Sequence, residues 1–281
     1  MVIHTQKETL MNTLLSLRKK QKIGFVPTMG ALHKGHMSLV EKALIENDIV
    51  VVSIFVNPTQ FNNSADLKKY PRTPKDDISL LKSLSDEIIV YLPEVSDLYE
   101  DDVSAKNYNF DGLENEMEGR YRKGHFDGVG TIVNKLFRIV QPDAAYFGEK
   151  DFQQLQIIRK LVSIENLPVK IEGCPILRED NGLAMSSRNK RLSTQQFQEA
   201  KFIYKILQEV QQKFDSTSIA ELNSLVAERF LQNQTLNLEY FEIADEETLK
   251  TARHKNKASK YRAFIAAFVG EVRLIDNIPL N

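Results

Sequence analysis

One cysteine, Cys174, stands in a chain of 281 residues. That excludes an intramolecular disulfide and a cysteine-rich zinc site, and it is compatible with a reducing compartment. No apolar run approaches the ~18 residues that a bilayer-spanning helix requires. The first residues, MVIHTQKETLMNTLLSLRKKQK, lack the charged start, apolar run and small-residue cleavage site of a secretory signal. They read instead as an amphipathic helix with Leu10, Leu14 and Leu17 on one face. The expectation is a cytoplasmic protein. A formal net charge of −1 with 27% charged residues leaves no excess of basic groups, which speaks against a general nucleic-acid or membrane-surface binder. There is no internal repeat, no low-complexity stretch and no Gly/Ser- or Pro-rich linker; the basic run 250–260 reads as a solvated loop.

The length suggests two domains, at ~150 residues each. Over the first 175 residues, short apolar runs at 23–28, 49–56, 87–92, 144–147 and 169–173 alternate with helical patterns near 37–47, 74–84, 129–141 and 151–165. The run IVVVSIFV is nearly continuous in apolar residues, as a strand covered on both faces should be. Such alternation predicts an α/β fold, a parallel sheet wrapped by helices with ligands at the carboxyl ends of its strands. From about Ser193 the texture changes to two long helical patterns, 194–213 and 218–233, and then to strands at 238–244 and 262–274. The closely packed boundary falls near 175–178.

Five segments follow expected strand ends or the domain boundary. PTMGALHKGH (27–36) joins a strand to a helix, and its histidines sit one turn apart at the helix start. A helix N-terminus favours an anion, Gly35 admits close backbone approach, and two imidazoles on one face can donate to the same phosphate. Alone, the pattern fits a capping turn with solvated histidines equally well. NPTQF (57–61) places amides where they can grip hydroxyls and a carboxylate, although an Asn-Pro turn is the plainer reading. In YPRTPKDD (70–77), Pro74 suits a helix start, and Asp76 and Asp77 fit the helix dipole first and a magnesium contact second. His125, beside Gly124 and Gly128 in RKGHFDGV, fits a turn residue as well as a functional one. FGEKDFQQ (147–154) brings Lys150 and Gln154, and REDNGLAMSSRN (178–189) brings two hydroxyls and a guanidinium able to bind outer phosphates.

Taken together, these segments resemble the pantoate–β-alanine ligases, also called pantothenate synthetases, in their order and spacing over most of the first 190 residues. RLIDN (273–277) extends the likeness loosely toward the C-terminus. Two departures are Lys123, where the family often has proline, and the loop Asn62-Asn63-Ser64-Ala65, which lacks the usual glycine and proline.

The resemblance implies a Rossmann-like nucleotidyltransferase domain, 1–176, followed by a smaller α+β C-terminal domain, 177–281, that closes over the active site. It implies ATP-dependent ligation of pantoate and β-alanine through an enzyme-bound pantoyl adenylate, with AMP and pyrophosphate released. It also implies Mg2+ with ATP and a homodimer, with no nucleic acid or membrane as partner. Carried over residue by residue, ATP would meet Met29, Gly30, Ala31, Leu32, His33, Lys34, Gly35, His36, Gly148, Glu149, Lys150, Asp151, Leu177, Met185, Ser186, Ser187 and Arg188. Of these, His33, His36, Lys150, Ser186, Ser187 and Arg188 would act at the phosphates, with His36 the proton donor. Gln60 and Gln154 would hold pantoate, and Gln60 would also contact β-alanine. A transferase acting on a phosphorylated acceptor would call for more Arg or Lys in place of that glutamine pair.

Overall fold

The alternating apolar and helical patterns resolve into a sheet with its carboxyl strand ends on one edge. The structure, a computed structural model, describes residues 1–62, 64–99 and 102–281, with Ser64 described by its backbone only. Asn63 and the Ser64 side chain, in the loop where the sequence departs from the family pattern, lie outside the described residues. Two compact units are formed. The first comprises Met1–Glu114, Gly119–Glu149 and Gln154–Pro175; the second comprises Asn115–Glu118, Lys150–Gln153 and Ile176–Asn281. Two short pieces that precede residue 176 in sequence therefore group with the second unit.

In the first unit, six strands among the described residues form one parallel sheet. They are β1 (Val2–His4), β2 (Ile23–Thr28), β3 (Ile49–Ile54), β4 (Ile89–Tyr91), β5 (Ala144–Gly148) and β6 (Lys170–Cys174), in the order β1-β4-β3-β2-β5-β6. The helices of this part of the chain are α1 (Lys7–Leu17), α2 (Lys34–Glu46), α3 (Ser64–Lys69), α4 (Pro74–Leu84), α5 (Val95–Tyr99), α6 (Met117–Tyr121), α7 (His125–Val140) and α8 (Phe152–Ile164). Strands β2 and β3 pair from Ile23 with Ile49 to Thr28 with Ile54. Burial of the β3 run Val50–Ile54 on both faces accounts for its continuous apolar sequence.

One face of the sheet buries Val26, Val52 and Val90 with Met37, Val40 and Ala43 of α2 and with Cys174. Burial pushes the Cys174 thiol up to about 11, so it behaves as a small apolar side chain. Elsewhere Phe25 meets Phe137 of α7 edge-on, with ring centroids 6.2 Å apart, and Leu10 and Leu14 of α1 are fully buried. Leu17, expected on the same stripe, is only partly covered. Each such buried Leu or Phe contributes about 1.5–3 kcal/mol.

The second unit carries the antiparallel sheet β7 (Leu236–Asp245), β8 (Tyr261–Val269) and β9 (Val272–Pro279), in that order. Helices α9 (Thr194–Glu199), α10 (Lys201–Lys213) and α11 (Ile219–Leu231) precede it. Ile203, Ile206, Leu207 and Val210 of α10 and Leu222, Val226 and Phe230 of α11 pack with Ile243, Ala263, Ile265 and Leu274 of the sheet. The run 262–274, expected as one strand, is a hairpin. Val269 pairs with Val272, and Gly270 takes the left-handed φ of +59° that reverses the chain.

Candidate active site

Strand β2 lies between β3 and β5, and the chain leaves it first toward β3 and later builds β5 on its other side. In an open parallel sheet that is the switch point, where the carboxyl ends open a crevice. The loop after β2 is PTMGALHKGH beyond its first two residues, so the sheet topology puts Met29–His36 there. His33 is the N-cap of α2, with its Nδ1 accepting the Gly35 N–H at 3.1 Å. An amide N–H only donates, so the lone pair sits on Nδ1 and the neutral ring carries its proton on Nε2. His36 follows on the first turn, with its ring centroid 4.0 Å from that of His33. The two imidazoles are thus brought together. The Gly35 N–H, at the residue expected to admit an anion to its backbone, is given to His33 Nδ1.

The loop is held from beneath by one carboxylate. Gly30 and Ala31 both have left-handed backbones, with φ of +75° and +51°. Asp77 of α4, 2% exposed, accepts the Ala31 N–H at 2.9 Å on Oδ2 and the Leu32 N–H at 2.7 Å on Oδ1. Thr73 Oγ1 donates to the same Oδ1 at 3.2 Å. A Cβ on Gly30 would stand 2.9 Å from Asp77 Oδ2, so glycine serves both the φ and the close approach. Pro74 does start α4, and Asp77, in the first turn where its charge complements the helix dipole, also clamps the neighbouring loop. With both oxygens taken by N–H donors it is a poor metal ligand, and Asp76 is exposed. Among the described residues no group of three His, Cys, Asp or Glu side chains is arranged to hold a metal. A cleft of about 510 Å³ opens beside the loop, with Met29, Gly30, Phe55, Arg72 and Asp77 among its lining residues.

After β3 the chain makes a 3-10 turn, Pro58–Gln60, against the start of α7. Gly128 makes the approach feasible, since a Cβ there would lie 2.3 Å from the Thr59 carbonyl oxygen. Asn57, 1% exposed, donates from Nδ2 to the Gly128 carbonyl at 3.1 Å and to Gln60 Oε1 at 3.2 Å. Its Oδ1 accepts from Tyr99 at 2.5 Å, and burial raises the Tyr99 phenol above its ordinary range, keeping that hydroxyl a donor. Asn57, read from sequence as a possible ligand grip, therefore supports Gln60. With its oxygen oriented by Asn57, Gln60 turns its Nε2 to Met29 Sδ, 2.8 Å away. Gln154, also in the first unit, is half-buried on the first turn of α8.

The remaining expected residues belong to the second unit, apart from Gly148 and Glu149, which end the first unit's β5 and begin the turn Glu149–Asp151. A Cβ on Gly148 would meet no atom within 4 Å. Lys150 keeps 17% of its side chain exposed, with Nζ 3.6 Å from Asp151, and its backbone carbonyl accepts the Asn277 Nδ2–H at 2.9 Å. Ser186 caps the turn Ser187–Arg191 by accepting the Arg188 N–H, and the Met185 N–H bonds to the Leu177 carbonyl at 3.0 Å. Ser187 is buried. At the head of this segment Arg178 makes a two-pronged ion pair with buried Asp276, at 2.6 and 3.0 Å. Adjacent β9 residues thus anchor two segments, Asp276 the 178–189 loop and Asn277 the Lys150 turn. RLIDN carried this in sequence without showing it, because nothing in its spacing names the partners.

A family model described as Pantoate-beta-alanine ligase matches residues 2–279. A protein of Christiangramia forsetii named Pantothenate synthetase is 54% identical over 282 residues, covering 100% of both chains. The crystal structure of pantothenate synthetase from Thermus thermophilus superposes with a TM-score of 0.91 at 36% identity, covering 100% of this chain and 99% of that one. The pantoate-beta-alanine ligase of Francisella tularensis, complexed with beta-gamma ATP and beta-alanine, gives 0.82 at 40% identity, covering 100% and 98%. This chain belongs to the pantoate–β-alanine ligase family and is an enzyme of that kind.

Proposed function

We propose that the chain ligates pantoate to β-alanine in two steps. In the first, a pantoate carboxylate oxygen bonds to the α-phosphorus of ATP while the bond to the bridging oxygen breaks and pyrophosphate leaves. In the second, the β-alanine amine bonds to the activated carbonyl carbon, loses a proton and expels AMP. A carboxylate cannot lose oxide, so adenylation supplies the leaving group. The observation that carries this reading is the 2.8 Å contact of Gln60 Nε2 with Met29 Sδ. It sets an amide suited to a hydroxy acid against the loop that bears the imidazole pair.

In this reading Met29, Gly30, Ala31, Leu32, His33, Lys34, Gly35 and His36 hold ATP. His33 presents its Nε2–H, and His36 donates a proton at the departing phosphate. Lys150, Ser186, Ser187 and Arg188 meet the charge that grows on pyrophosphate, the place where preorganised donors contribute most. Gly148, Glu149, Asp151, Leu177 and Met185 contact the nucleotide; Gln60 and Gln154 hold pantoate, and Gln60 also meets β-alanine. We place Mg2+ on the ATP phosphates, where it neutralises part of their charge. The enzyme is proposed to be a cytoplasmic homodimer, which a solution mass of twice the 32.2 kDa chain would support; among the described residues no helix is long and apolar enough to cross a membrane.

The reading is tested by pantoate-dependent exchange of labelled pyrophosphate into ATP with β-alanine omitted. Exchange is expected. Its absence, from folded protein that binds ATP, would remove the adenylate step.

A further inference from the structure

His125 opens α7, is 6% exposed and faces the Gln60 turn. Its Nδ1 lies 2.8 Å from the Gln60 carbonyl oxygen, and its Nε2 lies 3.2 Å from Arg122 Nη1. A carbonyl oxygen only accepts, so Nδ1 carries the proton; a guanidinium only donates, so Nε2 carries the lone pair. Both contacts are satisfied by a single form, the neutral ring protonated on Nδ1. The Gln60 carbonyl thus gains a partner from α7, while the Gln60 side chain is oriented by Asn57, itself bonded to the Gly128 carbonyl of the same helix.

We propose that His125 is a positioning residue for the small-substrate site, fixing the Gln60 backbone through Nδ1–H so that the amide is aimed at bound acid. The proposal rests on the reading that Gln60 contacts pantoate.

The test uses the full-length enzyme and pantoate-dependent pyrophosphate exchange, with melting temperature recorded for each variant. His125→Ala is expected to raise the pantoate KM by roughly tenfold, the scale of one lost hydrogen bond that orders a contact. The KM for ATP should move by less than about twofold. His125→Asn places an amide N–H near the Nδ1 position and should restore most of the loss. His125→Gln, whose amide reaches the Nε2 position, should not. The double variant Gln60→Ala/His125→Ala should be no worse than Gln60→Ala alone. Rescue by Gln and not by Asn would overturn the proposal by making Arg122 the ring's object. So would multiplying losses in the double variant, or a pantoate KM unchanged in His125→Ala. If Gln60→Ala itself leaves the pantoate KM unchanged, the reading of Gln60 fails first and the proposal falls with it.

Discussion

Asp77, Asn57 and His125 are buried polar side chains that bond to backbone atoms of the loops around the site. They support the loop just ahead of His33 and the turn that carries Gln60. Asp77→Asn keeps the shape of the clamp but turns a donor toward the Ala31 or Leu32 N–H. Losing a hydrogen bond to a charged acceptor costs about 1.5–3 kcal/mol. Chemical denaturation should therefore show a loss of that order, with a higher KM for ATP and little change for β-alanine. A different outcome is expected at the phosphates. His36→Ala or Lys150→Ala should slow single-turnover adenylation by at least ~100-fold, the scale of a lost transition-state donor, with stability close to wild type. Near-normal rates would take that residue out of the mechanism. His33, His36, Lys150 and Ser186–Arg188 are candidates in the sequence through the family resemblance, since each of their motifs alone reads as readily as a structural turn. Asp77 and His125 could be seen but not assigned, since their partners lie 46 and 65 positions away.

At the scale of elements, strand–loop–helix joints do the positioning. The strands of the first unit with long or continuous apolar runs, and the helices with clear periodicity, were legible along the chain. Strand β1, three residues long, and helices α3, α5 and α6, of five or six residues, are too short to show a period. Helix α7 begins at His125, ahead of the expected 129, because Gly124 adopts a left-handed φ of +76° just before it. That earlier start brings His125 and Gly128 to the Gln60 turn. Gly128→Ala would force a Cβ to 2.3 Å from the Thr59 carbonyl. The turn must shift, at a cost of about 1–3 kcal/mol. The expected kinetic signature is a pantoate KM raised more than the KM for ATP, read by initial rates with each substrate varied. Unchanged kinetics would show that Gln60 does not depend on this packing.

For the whole molecule, two units with different architectures carry different groups of candidate residues. The parallel sheet gives a crevice with an imidazole pair and an oriented amide, and the antiparallel unit carries Lys150 and the Ser-Ser-Arg turn. The anchoring of both second-unit segments on Asp276 and Asn277 could not be read in advance, because it joins positions 98 and 127 residues apart. What unites these parts is the claim that pantoate is activated as its adenylate. The most direct measurement starts from pantoate labelled with oxygen-18 in its carboxylate, incubated with ATP, Mg2+ and β-alanine. Mass spectrometry should find one labelled oxygen in the AMP and none in pyrophosphate. Unlabelled AMP, or label in pyrophosphate or in a released phosphate, would contradict attack at the α-phosphorus and with it the roles given to His36 and Lys150.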